Sequence, residues 1–174
     1  MAKFQMKELV TQADLFTARL GSSGSSNWYN DKEVGKFVKL AAESGYALCA
    51  AGDPIEAYVS SVEPAPLDDY SIGALANDGL KEVTFDGDQA TAGTGTVAIG
   101  DYVVCGTVVA KGTALSAAAK VCKATWQPGV SESANVSDVN EHLKVANYAW
   151  RVVSLGSVGT GAVGSTGVIK RMNG

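Results

Sequence analysis

Residues Ile99 to Ala110, IGDYVVCGTVVA, are apolar on both sides when laid out as a strand: Tyr102, Val104, Gly106 and Val108 face one way, Val103, Cys105, Thr107 and Val109 the other. Side chains alternate across a sheet, so a run with no polar side does not suit a half-solvated sheet. It belongs in the middle of a sandwich or barrel, or it buries its second side against another subunit. The composition agrees. Twenty glycines among 174 residues, with many Ala, Ser, Thr and Val, favour short strands joined by tight turns. The expected class is all-β, as a compact β-barrel or β-sandwich. A hydrophobic share of 46% is enough for a sizeable core.

Further strands are legible. Ile55, Ala57 and Val59 share one side and Glu56, Tyr58 and Ser60 the other, a half-exposed strand entered through Gly52-Asp53-Pro54 and ended by Pro64 and Pro66. Leu80 to Phe85 reads as a strand running into Asp86-Gly87, a hairpin signal. AKVCKATW and YAWRVVSL add two more. Between them Val130 to Val145 is polar, and Asp138 and Glu141 at capping-box spacing suggest a short helix. VGKFVKL, from Val34, and IGDYVVC, from Ile99, share the order apolar, Gly, polar, aromatic, Val. Copies 65 residues apart could mark a duplicated half-barrel, but between strands of similar composition a chance likeness is the expected account.

The two ends differ from the body. From Lys3 to Leu20, apolar Met6, Leu9, Val10, Ala13, Phe16 and Leu20 recur at helical spacing. GSSGSSN, Gly21 to Asn27, has nothing to pack and reads as a linker. Residues 1–27 are therefore expected to be an arm, helical or extended, on a body spanning 28–155, and deleting Met1 to Asn27 should leave that body folded. Residues 156–174 form a glycine-rich, basic tail. It holds GTGAVG, a literal GxGxxG, but the fingerprint needs a following helix and strand, and an acidic residue about 20 positions on. Ten residues follow Gly164 and none is acidic. The tail is expected to be a pliable segment laid against a neighbouring subunit, its glycines letting backbone approach backbone.

Familiar chemistry is missing from the motifs. The single histidine, His142, has no GxSxG elbow with it and is expected on the surface. Cys49, Cys105 and Cys122 form no CxxC pair and read as reduced, buried small hydrophobes. No zinc cluster or calcium loop is spelled, and Asp68-Asp69 and Asp86-Asp88 read as turn residues. Gly35-Lys36 lacks the first glycine of a phosphate loop. The net charge of -4 repels phosphate, so nucleic acid is not an expected partner. After Glu141 the chain carries Lys144, Arg151, Lys170 and Arg171 and no acid, a distribution suited to docking on an acidic neighbour. The charged N-terminus does not fit a signal peptide and no apolar stretch reaches 18 residues, so a soluble protein made in a cytoplasm is expected. Candidate partner-contact residues are Phe16 and Leu20 on the arm, Trp28 and Tyr29 at its root, and Lys170 and Arg171 on the tail.

VGKFVKL, GDPIEAYVSSVEP, KEVTF, IGDYVVCG and YAWRVVSLGS with its glycine-rich end together resemble the decoration, or cement, proteins of tailed-phage capsids. The resemblance covers roughly Val34 to Val168, with gaps around Gln127 to Asn147. It implies a β-tulip or jelly-roll body, bound to the outer surface of the head between major capsid protein subunits, often as a homotrimer with a dimer possible, bracing the expanded shell. It carries no catalytic residue, cofactor, metal, nucleic acid or membrane partner. The expected location is the virion, after synthesis in the bacterial cytoplasm. The competing expectation is a β-barrel module for a small ligand or glycan, with Trp28, Tyr29, Trp126 and Trp150 as its platform.

Overall fold

The run around Val103 sits between two apolar layers, and ten strands among the described residues build those layers. The structure is a computed structural model and describes residues 15–21, 29–41, 45–65, 70–91, 93–127, 139, 142–143 and 149–172. The strands are β1 (Leu15–Leu20), β2 (Phe37–Leu40), β3 (Tyr46–Leu48), β4 (Ala57–Ala65), β5 (Tyr70–Ala76), β6 (Leu80–Asp88), β7 (Val103–Cys105), β8 (Lys120–Lys123), β9 (Trp150–Ser154) and β10 (Thr166–Arg171). The first five close into a barrel in the order β1-β3-β2-β4-β5, and the rest form a sheet in the order β7-β8-β6-β10-β9. The edge strands of that sheet meet where Tyr102 bridges Arg151, next to a hydrogen bond from Gly100 N–H to Val152 O.

The two sheets are one design built twice. In each, the first strand runs parallel to the third and antiparallel to the fifth, while the third pairs with the second and the fourth with the fifth. The pair Phe37–Tyr58 that closes the first barrel has its counterpart in Tyr102–Arg151. The registers coincide as well. Leu40 opposite Tyr46 matches Cys105 opposite Val121, and Val59 opposite Leu75 matches Val152 opposite Ile169. Both fourth strands carry a β-bulge at the same place, with Ser60 and Val153 as the extra residues. The Gly35 and Gly100 N–H groups donate to Val59 O and Val152 O, both at 2.8 Å. At φ values of +87° and +94°, both positions favour glycine. The echo between VGKFVKL and IGDYVVC is therefore no chance likeness of strands. It marks the second strand of a repeated whole unit, not of a half-barrel.

Alternation decides which side chains enter each core. Inside the first barrel pack Leu20, Tyr29, Val38, Ala57, Val59, Val62 and Leu75. The bulge at Ser60 is what lets Val59 and Val62, three residues apart, both point inward. A second, larger core fills the second sheet with Val83, Phe85, Val103, Val121, Trp150, Val152 and Ile169. It continues onto the outer side of the first barrel through Phe37, Cys49, Ile55 and Tyr58. Tyr58 is thus buried, not half-exposed. Each fully buried aliphatic or Phe side chain contributes about 1.5–3 kcal/mol. A small third cluster, Val104, Cys122 and Ala124 under Tyr102 and Trp126, covers the far side of β7 and β8.

The ends of the described chain are corrected. Leu15–Leu20 is a strand within the barrel, not the last turns of a helix. Phe16 and Leu20 fit either a helical or an alternating period, and Ala18, packed on the same core, decides for the strand. Residues 1–14 and 22–28 lie outside the described residues. Deleting Met1 to Asn27 would remove a barrel strand, so that deletion cannot leave the body intact. The segment after Gly156 is not a tail laid on a neighbour, since β10 sits between β6 and β9. Its glycines do allow close approach, within the chain: a Cβ at Gly161 would overlap the Val97 backbone. Asp86-Gly87 makes no hairpin, because β6 runs on to Asp88 with a register shift at that point. Likewise β4 extends past Pro64 to Ala65. In the polar connector, 139, 142 and 143 are helical, while Asp138 and Glu141 lie outside the described residues.

Candidate functional site

The seam between the two units brings together the buried Glu33 and Lys36 and two of the three cysteines. A short 3₁₀ turn, Asp31–Glu33, is capped by Asn30, whose side chain accepts from Lys32 N–H while its own N–H donates to Glu33 Oε2 at 2.8 Å. This folds Glu33 inward until it is fully buried. Its Oε1 accepts from Gly112 N–H at 2.6 Å and lies 3.5 Å from the Lys36 ammonium, which also donates to Ala110 O at 2.9 Å. Ala110 and Gly112 belong to the second unit, in the connector from Thr107 to Ala119. The counterpart connector in the first unit, between Leu40 and Tyr46, is far shorter.

Asp86 holds the two ends of that connector. Its Oδ2 accepts from Thr107 N–H and from the Thr107 hydroxyl, and its Oδ1 accepts from Lys120 at 3.1 Å. Burial by itself would raise the Asp86 carboxyl. The Thr107 donors and the Lys120 ammonium favour the charged form more strongly and hold it below its ordinary value. Beneath the connector is a cavity of about 190 Å³ lined by Phe37, Leu48, Cys49, Cys105, Leu115 and Ala119, among others. The Cys49 and Cys105 thiols interact across the seam, and that contact together with burial pushes the Cys49 thiol up. Burial pushes Cys122 up to about 12. All three cysteines are free and buried, and a protonated buried thiol is a poor nucleophile. No group of three or more His, Cys, Asp or Glu among the described residues is placed to hold a metal ion.

The expected contact residues are not brought together. Leu20 is fully buried in the barrel, and Phe16 packs edge-on against Tyr46 with ring centroids 5.6 Å apart. Tyr29 is buried: its hydroxyl accepts from Leu48 N–H at 2.9 Å, its N–H donates to Ser71 Oγ, and its carbonyl accepts from the same hydroxyl. Trp28 lies outside the described residues. Lys170 is exposed on β10, and Arg171 donates to Asn77 O at 3.0 Å. The expected glycan platform also fails to assemble, because Trp150 is fully buried with its indole N–H on Ile55 O at 2.9 Å. Trp126 is half-buried and stacks on His142, ring centroids 4.1 Å apart and planes 9° from parallel. His142, expected on the surface, is half-buried against that ring.

Sequence reasoning passed over the Glu33–Lys36 pair and read Asp86 as a turn residue. Asn30 and Glu33 stand at capping-box spacing, which was the available signal for the first. Compared with known protein families, curated proteins and solved structures, the chain matches none of them.

Proposed function

We propose that this chain is a structural protein of a tailed-phage virion that binds the outer surface of the capsid between major capsid protein subunits and stabilises the expanded head. The observation that carries the reading beyond the resemblance is a pair of apolar knobs at equivalent turns. Val34 is 40% exposed and Ile99 64% exposed, each just before the left-handed glycine in the turn that leads into the second strand of its unit. Val158 and Val163 are also exposed, on the glycine-rich turns before β10. What supports the reading is not exposure alone but its recurrence, an apolar side chain before the same left-handed glycine in both units. The same turn presented twice suits a partner that is itself repetitive. The β-tulip or jelly-roll form and the homotrimer enter with the family resemblance, as does the location on the virion.

The glycan-binding reading loses its support in the burial of Tyr29 and Trp150. Among the described residues no helix is long and apolar enough to cross a membrane.

Quantitative mass spectrometry of purified virions tests the proposal. A copy number comparable to that of the major capsid protein is expected, with loss of head occupancy for a Val34→Asp, Ile99→Asp double variant that still folds. Absence from virions overturns the proposal.

A further inference from the structure

The seam joins two different surfaces of one barrel design. The first unit contributes an outer side, where Phe37, Cys49, Ile55 and Tyr58 are buried. The second unit contributes the end of its β7, where Cys105 exchanges backbone hydrogen bonds with Gly52 and Asp53, and Trp150, whose ring meets Tyr58 at 6.4 Å edge-on. Because the units share one register, the outer side and the end of β7 each have a counterpart elsewhere on the molecule, whereas the counterpart of Trp150 is Ala57, buried inside the first barrel. The counterparts of Phe37 and Tyr58 are Tyr102 and Arg151, and by the common β2–β3 and β7–β8 register that of Cys49 is Ala124. The counterpart of Cys105 is Leu40.

These two remaining surfaces are treated differently. Leu40 is 54% exposed at the end of the first unit. The outer side of the second unit is covered: Ala124 is buried, Tyr102 lies 6.0 Å from the Trp126 ring, and Trp126 is stacked in turn on His142. Both covering residues come from the chain between β8 and β9. The matching stretch of the first unit, Ala50 to Glu56, is only a short connection and lies at the seam.

We infer that Trp126 and His142 form a terminal cap, occupying the surface on which a further barrel of this design docks and so keeping the Leu40 end of a second copy of the chain away from it. The occupant follows from the seam itself, where these two surfaces already meet once within the chain. Contacts of this head-to-tail kind repeat from copy to copy and yield rings or open filaments unless something ends the series. Stacked repeat proteins need a capping element at their ends for the same reason.

The experiment compares wild-type protein with Trp126→Ser and His142→Ser by light scattering after size exclusion, over a wide range of concentration. The wild-type mass is the reference, whatever its stoichiometry. Uncapping is expected to add an association that grows with concentration, taking the weight-average mass to about twice the reference or beyond. Adding Leu40→Glu should return it to the reference. A folded uncapped variant with the wild-type mass at every concentration overturns the inference, as does association that persists with Leu40→Glu. If the Trp126→Ser variant does not fold, Trp126→Thr with His142→Ser, which keeps a small, partly apolar side chain beside Ala124 while removing both rings of the cap, decides between the same outcomes.

Discussion

Gly73 and Gly167 hold the same place in the two units. A Cβ at Gly73 would overlap the Leu20 side chain and lie 2.6 Å from Ser61 O, and a Cβ at Gly167 would overlap the Phe85 ring and lie 2.6 Å from Ser154 O. Leu20 and Phe85 are both fully buried, so neither can swing away into solvent. The serine carbonyls are backbone, held beside the bulges at Ser60 and Val153.

Gly73→Ala and Gly167→Ala are therefore expected to destabilise the fold by similar amounts, about 1–3 kcal/mol each, as overpacking in a close-fitted core does. Urea unfolding monitored by tryptophan fluorescence measures both. A neutral result at one position and a large loss at the other would break the equivalence of the two sites.

Glu33 is buried with three donors converging on it: the Asn30 and Gly112 N–H groups and the Lys36 ammonium. Glu33→Ala leaves Lys36 as a buried cation without its carboxylate, a loss of about 3–5 kcal/mol when one partner of such a pair is removed. It should also free the connector at Gly112, so that trypsin cleaves after Lys111 faster than in the wild type. Chemical denaturation and a timed digest read the two effects separately.

Asp86 sets an acid limit. Its carboxyl titrates lower in the folded chain than its ordinary value of about 3.9, so its contribution is fully present above that value and is lost as pH falls through the folded value. Measured from about pH 6 down to pH 3, the stability difference between wild type and Asp86→Asn should stay level above roughly pH 5 and shrink below pH 4. A difference that does not change across this range would remove Asp86 from the acid response.

Side-chain alternation made much of the sheet legible. The β8 and β9 segments and the inward set Ala57 and Val59 follow from it directly, and so does the burial of Val103 and Val104 on opposite sides. β1 was hidden because Phe16 and Leu20 lie four residues apart, a spacing that satisfies both periods. Asp86-Gly87 misled because a left-handed glycine inside a bulged strand is spelled like one in a hairpin turn. The duplication was audible only at Gly35 and Gly100. Elsewhere the equivalent residues share a place and burial more than an identity: Leu20 answers to Phe85, and Ala57 to the far larger Trp150, so the two cores are filled by different sets of side chains. The seam was the least legible part. Its pairings, such as Lys36 with Ala110 and Glu33 with Gly112, join residues more than 70 positions apart and have no local pattern.

The bond from Trp150 to Ile55 O spans 95 residues. At a synthesis rate of about 5–20 residues per second, a ribosome needs about 5–20 s to cover that distance. For most of that interval, from Ala76 at the end of β5 onward, the first barrel has all its strands but keeps Ile55 and Tyr58 bare, waiting for the indole that will cover them. Crowded synthesis of many copies, with that apolar side open on each nascent chain, is when this protein is most exposed to pairing with the wrong molecule.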